Sequence, residues 1–476
     1  MPPSDDPFDR ATVTPSQEVF APRVLPGPKR AIEREPASLA PAIAQGGGIG
    51  AWPRLWSSET LTVTGSASGT VALFAMSNNQ FAPPPALLPA GIKIDPTWGE
   101  FFVEAGLTAK YAIAPRLSAY GGVSYLESAT RGHDKSTNGN TYHGLAELAY
   151  GGVTLSGDVG VDLSYGQQEF TVGNGMLLWS GATNGTQRGA DYLGPRGAWA
   201  NAAVAKVTWR EMTVTAFWLK PNEAQALDTG TRIWGVNADW MPSGPFRAGF
   251  MYVHVPRSQV VTRDGLDVYD ARLRWHPLFA SPEFWLQGEY AWQRNVNVAA
   301  SGGYVQANYN GQQFPWQPAL AAQWTWLSGD KPQTAQWEGF DPLYFGNSNP
   351  NWYPGKLGST LFNNTNLVTA SVTLTLNPTD QQIVQLWYLD FRAAVANSPL
   401  DVPPPRMPVP VGGGVPAKAL AREVDASWTY QFDKALNLTM IAAYAATGSG
   451  YKELFASYGG AAVGWWLLGA QFNVSY

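Results

Sequence analysis

The sequence predicts an all-β protein built as a transmembrane antiparallel β-barrel of about 18 strands. Three observations predict this fold class. Polar and apolar residues alternate in many segments of strand length, the connections between these segments sort into short and long ones, and charged residues are scarce. Charged residues make up 14 % of the chain and aromatic residues 13 %.

The clearest alternation lies in residues 266–276. Tyr269 and Leu273 share one face, whereas Arg272 and Arg274 share the other. A period of two places successive side chains on opposite faces of a strand. By this criterion the predicted strands are 60–76, 100–112, 116–127, 141–150, 153–168, 198–209, 212–220, 231–241, 246–255, 266–276, 283–294, 303–311, 318–327, 366–377, 382–393, 421–432, 436–446 and 463–476.

The predicted connections alternate in length along the chain. The short ones lie at 114–115, 151–152, 210–211, 241–245, 277–282, 312–317, 378–381 and 433–435. The others are mostly long, and the shortest of them, 295–302, still exceeds every short turn. This asymmetry is typical of an outer-membrane barrel with short periplasmic turns and long external loops. A soluble β-sandwich, the alternative for strands of this kind, has no reason to sort its loops this way.

Composition excludes several other classes of protein. Fifty Gly and 37 Pro argue against a mainly helical chain, and no apolar run reaches the roughly 18–20 residues that a membrane helix needs. The absence of Cys excludes disulfides and thiolate metal sites. The four His lack metal-ligand spacing and no catalytic triad pattern is present, so we expect no metal, no cofactor and no enzymatic activity. The net charge of −5 does not suggest a nucleic-acid partner.

The chain divides into two parts by composition. Residues 1–50 are rich in Pro, Ala and charge and carry no signal peptide in this numbering, so we expect a flexible periplasmic tail. Residues 51–476 are expected to form a single barrel in the outer membrane. Trp and Tyr near the strand ends fit aromatic girdles at the lipid–water boundary.

Most charges fall on the face opposite the aliphatic residues. An Arg or Lys that faces lipid at mid-bilayer costs roughly 2–4 kcal/mol, and eighteen strands enclose a space wide enough for water. We therefore expect a hydrated lumen with more acidic than basic residues. Arg272 and Arg274 could contact an anionic chain there or pair with Asp270 and Glu289 in a wall ladder. The predicted lumen residues are Lys206, Arg210, Arg247, Arg272, Arg274, Glu289, Arg392, Glu423 and Asp425.

The longest predicted loop, 329–364, is rich in aromatic residues. A loop of this length is usually functional or disordered. Its aromatic side chains could stack on sugar rings, or they could pack the loop against the barrel mouth as a lid or plug. They are Trp337, Phe340, Tyr344, Trp352 and Tyr353. The low-complexity stretch 401–416 predicts a mobile external loop.

Four stretches of the chain resemble the alginate-export family of bacterial outer-membrane proteins. They are YGQQEF at 165–170 with GNG at 173–175, EYAWQ at 289–293, LSGD at 327–330 with FDPLY at 340–344, and EVD at 423–425 with ATG at 446–448. Together they cover roughly residues 150–476. The family's arginine in the first motif is replaced by Gln167.

The resemblance implies an eighteen-stranded channel for passive export of an anionic exopolysaccharide such as alginate. It also implies an electropositive constriction, a gate made of loops or turns, and work alongside an inner-membrane synthase and a periplasmic scaffold. Because the predicted lumen is acidic overall, a neutral or weakly acidic polymer fits it better than a strong polyanion. Two alternatives stay open: a nutrient porin for small solutes, and a structural barrel that docks a partner through its N-terminal tail.

Overall fold

The computed structural model describes residues 54–88, 91–135, 139–277, 283–346, 352–402 and 414–475. The predicted N-terminal tail, most of the low-complexity stretch and Tyr476 lie outside these residues. The strands are β1 Arg54–Ser57, β2 Leu61–Ser77, β3 Thr97–Ala114, β4 Leu117–Gly132, β5 Thr141–Leu155, β6 Val159–Gln168, β7 Trp199–Trp209, β8 Met212–Lys220, β9 Arg232–Trp240, β10 Phe246–Arg257, β11 Leu266–Trp275, β12 Phe284–Arg294, β13 Ala299–Asn310, β14 Ala319–Leu327, β15 Leu367–Thr379, β16 Gln382–Ala393, β17 Ala419–Gln431, β18 Leu436–Thr447 and β19 Trp465–Ser475.

Strands β2 to β19 form a closed antiparallel barrel of eighteen strands, as the sequence predicted. Each strand pairs with the next, and β19 pairs with β2 from Trp466↔Ser77 to Ser475↔Ser68. The sequence missed β1, a short strand that pairs with β2 at Trp56↔Val63. It follows β19 along the same edge of β2. Closure leaves every barrel strand with two neighbours, which removes the exposed edges of an open sheet.

The connections keep the predicted asymmetry, with two corrections. The turn predicted at 151–152 is wrong, because β5 runs on to Leu155 and turns at 156–158. A Cβ at Gly152 would come within 2.5 Å of the Tyr120 ring, so this glycine makes room for a neighbouring side chain inside the strand. The connection predicted at 295–302 spans only residues 295–298 in the structure, because β13 begins at Ala299. It is therefore shorter than some of the turns at the short-turn end of the barrel.

The two faces of the wall differ chemically. On β11, Leu273 is 51 % exposed to the outside, whereas Asp270, Arg272 and Arg274 point inward and are buried. The same alternation runs around the barrel, so apolar and aromatic side chains cover the outer surface. This is the pattern expected of strands with lipid on one side and a polar interior on the other.

The main hydrophobic cluster lies inside the barrel and includes loop residues. Leu177, Leu178, Phe340, Leu343 and Leu357 are all buried within it. The described parts of the loops also contain two short α-helices, α1 Gly358–Leu361 and α2 Ser449–Ser457. Among the described residues, no helix is both long and apolar enough to cross a membrane. Because the buried cluster includes residues of the long loops, the apolar core lies at the long-loop end of the barrel.

Candidate functional site: a plugged lumen

Two long loops fold into the lumen and pair with each other. Residues 169–198 connect β6 to β7, and residues 328–366 connect β14 to β15. The backbone N–H of Trp179 donates to the Tyr344 carbonyl at 2.9 Å, and the N–H of Tyr344 donates to the Leu177 carbonyl at 2.9 Å. Gly346 donates to the Gly175 carbonyl at 2.9 Å. We call the described residues of these two loops the plug.

Two acidic residues of β17 hold the second plug loop to the wall. The carboxylate of Glu423 accepts hydrogen bonds from the backbone N–H groups of Leu357 and Gly358, both at 2.8 Å. Asp425 accepts from the Lys356 N–H at 2.9 Å and from the Tyr353 hydroxyl at 2.5 Å. The sequence placed Glu423 and Asp425 on the lumen face, and the structure shows them attached to a loop.

The first plug loop is held by acidic residues that sequence reasoning did not single out as sites. Glu100 on β3 accepts from the Leu193 N–H at 2.8 Å, and Glu147 on β5 accepts from the Ala198 N–H at 2.8 Å. Arg196 lies 3.6 Å from the Glu147 carboxylate. The available signal was alternation, because both acids occupy inward positions of their strands.

Two glycines allow the plug to approach the wall. Gly173 has φ +57°, and a Cβ there would lie 2.7 Å from Cδ of Arg272. Gly355 has φ +88°, and a Cβ there would lie 2.8 Å from the Glu423 carboxylate. Left-handed backbone of this kind strains residues that carry a Cβ. Gly173, the first residue of the GNG sequence at 173–175, is thus a point of close contact between the first plug loop and the wall.

The aromatic residues of loop 328–366 pack against the protein. Tyr353 stacks on Trp387 of β16 with ring centroids 4.8 Å apart. Trp352 meets Tyr304 of β13 at 5.2 Å, and Tyr344 meets Trp199 at 5.1 Å. The two remaining predicted residues are Phe340, which is fully buried, and Trp337, whose backbone N–H donates to the Asn297 carbonyl at 2.8 Å. Of the two alternatives for this loop, these contacts favour packing as a plug over free faces for sugar stacking.

Lys356 occupies the contact between plug and wall. Its ammonium lies over the Tyr353 ring at 5.4 Å and the Trp387 ring at 5.7 Å. Desolvation inside the barrel lowers the pKa of Lys356, while the nearby charges of Asp425 and Glu423 oppose the shift. The Lys356 ammonium therefore lies in the same buried region as the two acidic groups that hold its own loop.

Arg272 is neutralised by the wall. Its guanidinium contacts Asp270 on the same strand, Asn237 on β9 and Asp239 at 3.2 Å. Glu289 on β12 stands opposite Arg272 in the strand register and is buried. For Arg272, the contacts with Asp270 and Asp239 are those of the wall-ladder alternative.

A second group of bases lies closer to the short-turn end. Arg247 on β10 stands directly opposite Arg274 on β11, and both point inward. The Arg274 guanidinium lies 4.5 Å from the centroid of the Trp285 ring. Lys206 on β7 points inward opposite Asp162 on β6. Two guanidinium groups therefore face each other at this level of the lumen.

Two predicted lumen residues are placed elsewhere. Arg210 lies in the turn after β7, has φ +50°, and its guanidinium covers the Trp209 ring at 4.8 Å. Arg392 shares the outward face of β16 with Tyr388 and bonds Asp390 at 2.8 Å. Both predictions are wrong for the same reason: alternation was extended to the strand ends, where charges reach water without facing the lumen.

The structure can be compared with known barrels at this point. OccK7 (OpdD) of Pseudomonas aeruginosa gives a TM-score of 0.52 at 11 % identity, over 87 % of this chain and 98 % of that one. OccAB2 of Acinetobacter baumannii gives 0.51 at 10 % identity, with the same coverage of 87 % and 98 %. The outer membrane protein OprD of P. aeruginosa gives 0.51 at 10 % identity, over 87 % and 93 %. At these identities the likeness shows the fold alone.

The sequence comparison is more specific. No curated protein matches the chain. The model of the family described as alginate export matches residues 142–463, which is more than half of the chain. This family and this fold are those of channel barrels rather than of enzymes. Within the described residues no group of His, Asp and Glu could hold a metal ion. The chain belongs to the alginate-export family and is a β-barrel of the bacterial outer membrane.

Proposed function

We propose that this barrel exports an exopolysaccharide through its lumen, and that the plug is the gate. The observation that carries the proposal is the pair of inward-pointing arginines, Arg247 and Arg274, that face each other beneath a plug tied to the wall. With short turns periplasmic, this pair is on the side from which a polymer would enter. An anionic or weakly acidic chain would meet these bases before it meets the plug.

The charge arrangement suits passage rather than tight binding. Arg272 and its acidic partners neutralise one another deeper in the lumen, whereas Arg247 and Arg274 face each other nearer the entrance. A pathway must attract its cargo and still release it. The driving force would come from synthesis of the polymer behind it. We propose an inner-membrane synthase and a periplasmic scaffold as the partners that supply it.

The test is a planar-bilayer recording of three proteins. The wild type should conduct small ions poorly, and a variant lacking residues 337–354 should conduct more, because the deletion removes the Tyr344 and Tyr353 contacts. Residues 169–198 stay in place, so the lumen should open only in part. Adding Arg247→Glu and Arg274→Glu to the deletion should shift the channel towards cations.

Arg392→Glu is the matched control, since it changes the same charge on the outer wall. It should leave ion selectivity unchanged. A wild-type barrel that is already wide open and passes small sugars freely would replace this proposal with the nutrient-porin alternative. A deletion that leaves conductance unchanged would place the gate in the first plug loop.

A further inference from the structure

A row of basic residues lies on the outside of the barrel at its extracellular end. Lys220 ends β8, Arg232 begins β9, Arg257 ends β10 and Arg294 ends β12. Arg257 and Arg294 are exposed, and Lys220 and Arg232 are half-buried. Their neighbours two residues away on the outer face include Trp234 and Trp292. We call these four side chains the outer basic row.

Three members of the row, Lys220, Arg232 and Arg257, lie on adjacent strands, and Arg294 lies beyond β11 on β12. Arg232 is directly opposite Arg257 in the strand register. The last β8–β9 pair, Leu219↔Ile233, places Lys220 beside Arg232. Like charges directly opposite on neighbouring strands are destabilising. Among the described residues, none of the four forms an ion pair. An anion between Arg232 and Arg257 would remove this repulsion.

The nearest carboxylates are already engaged. Asp267 faces Arg294 in the register, yet it bonds the Tyr252 hydroxyl at 2.7 Å and Nδ1 of His254 at 2.8 Å. Two loop carboxylates accept backbone hydrogen bonds instead, Asp228 from Gly230 at 2.8 Å and Asp264 from Ser258 at 2.9 Å. These carboxylates keep their negative charge, and Asp267 stands beside Arg294. The repulsion between Arg232 and Arg257 remains, because neither forms an ion pair with a described residue. The Arg232 guanidinium donates only to the Gly230 and Thr231 carbonyls among the hydrogen bonds of the described residues.

A band of aromatic rings fixes the depth of the row. Trp234 contacts Tyr252 at 5.5 Å, Tyr252 contacts Tyr269 at 5.2 Å, and Tyr269 contacts Trp292 at 5.8 Å. Rings of this kind on the outer face mark the boundary between hydrocarbon and headgroups. The basic row lies one step further towards the extracellular side, and Arg294 covers Trp292 at 5.9 Å. Its depth is that of lipid headgroups.

We propose that the outer basic row binds the phosphate groups of a phosphorylated lipid in the outer leaflet. Arginine presents paired donors that match the oxygens of a phosphate. The row supplies three guanidinium groups and one ammonium group on β8, β9, β10 and β12. The apolar wall below the aromatic band can take the acyl chains. The site is independent of the lumen and of what passes through it.

A second basic group on the same wall provides the control. Arg392 and Arg422 also lie on the outer face near the extracellular end, but both bond Asp390, at 2.8 Å and 3.2 Å. Asp390 already occupies the position that a phosphate would take there. Replacing these two arginines removes the same charge from the same surface without removing the proposed site.

The test is native mass spectrometry of the detergent-solubilised barrel with bisphosphorylated lipid A as the probe. The wild type should retain lipid A in preference to zwitterionic phosphatidylcholine. Arg232→Gln with Arg257→Gln should weaken retention by roughly tenfold or more, because two charge-assisted contacts are lost. Arg392→Gln with Arg422→Gln should bind as the wild type does. Heat-dependent mobility in gels verifies that each variant is a folded barrel.

Three results would overturn the proposal. Equal retention of phosphatidylcholine would show that the headgroup charge does not matter. Wild-type binding by the Arg232 and Arg257 variant would show that the lipid lies elsewhere. Displacement of lipid A by an acyl-free acidic polysaccharide would assign the row to an emerging polymer instead of a lipid.

Discussion

Arg263 and Asp341 form a two-pronged ion pair between two extracellular loops, with Nε–Oδ2 at 2.8 Å and Nη2–Oδ1 at 2.5 Å. Their side chains are 1 % and 2 % exposed. Asp341 also accepts from the Leu343 N–H at 2.8 Å, and its own N–H donates to Gln293 on β12 at 2.8 Å. The pair fixes the point at which loop 328–366 enters the barrel.

Asp341→Asn should destabilise the protein, because it leaves the buried Arg263 charge without its partner. Removing one member of a buried pair costs about 3–5 kcal/mol. Urea unfolding in detergent measures this loss, and conductance should rise with it as the plug loosens. Lys331→Gln is the control, since its pair with Glu338 is 64 % exposed on the lysine side and such surface pairs contribute at most about 1 kcal/mol. Equal losses in both variants would contradict the anchoring role.

Gly355→Ala should open the channel more than Gly265→Ala does. Both glycines have positive φ, +88° and +68°, so both substitutions carry a backbone strain of about 1–2 kcal/mol. Only at Gly355 would the new Cβ also meet the Glu423 carboxylate, whereas nothing lies within 4 Å at Gly265. Single-channel conductance should therefore increase for Gly355→Ala alone. A similar increase for Gly265→Ala would point to strain rather than to the wall contact.

Cysteine labelling tests the orientation of the wall, and the chain has no native cysteine to interfere. A water-soluble thiol reagent should label Arg247→Cys from the periplasmic side, because Arg247 points into the lumen and is half-buried. Leu273→Cys faces outward and should be protected by lipid. Arg274→Cys should react more slowly than position 247, since Arg274 is only 2 % exposed. Faster reaction at 273 would mean an inverted register.

Stability should fall as pH rises from about 4.5 to about 8, in part because of Glu169. Desolvation in the lumen, together with Glu104 and Glu147, raises the pKa of this loop carboxyl from 4.5 to about 8. Between these values the folded protein holds a proton that the unfolded chain has released, so deprotonation favours unfolding. Glu169→Gln should flatten this part of the profile in urea unfolding between pH 5 and pH 8. An unchanged profile would exclude Glu169 as a source.

The barrel was largely predictable because its wall has a simple rule. Lipid outside and polar groups inside impose a period of two, and each of the eighteen segments that follow it became a strand. The strand ends at Arg210 and Arg392 were assigned wrongly, because a charge near the headgroups is tolerated on either face. Gly152 lies inside β5 against the Tyr120 ring, a contact between strands that no local sequence pattern contains.

The plug could not be predicted in the same way. Tyr344 and Leu178 lie far apart in sequence, and their pairing depends on where two separate loops enter the lumen. Glu100 and Glu147 look like any inward acid until the loop backbone that they bind is in place. The sequence indicated that loop 329–364 could fill the barrel mouth, but it did not indicate that loop 169–198 shares the task.

The short strand β1 has a consequence for how the barrel closes during assembly. The first barrel strand is longer than the last, so β19 covers β2 only from Ser68 to Ser77. β1 turns back at Ser58, whose N–H donates to the Leu61 carbonyl at 2.8 Å, and it pairs with Thr62, Val63 and Thr64. This hairpin can form as soon as residues 54–64 have been synthesised, hundreds of residues before β19. A nascent chain that awaits its final strand therefore presents a shorter unpaired edge, with fewer free N–H and C=O groups for a second unfinished chain to join.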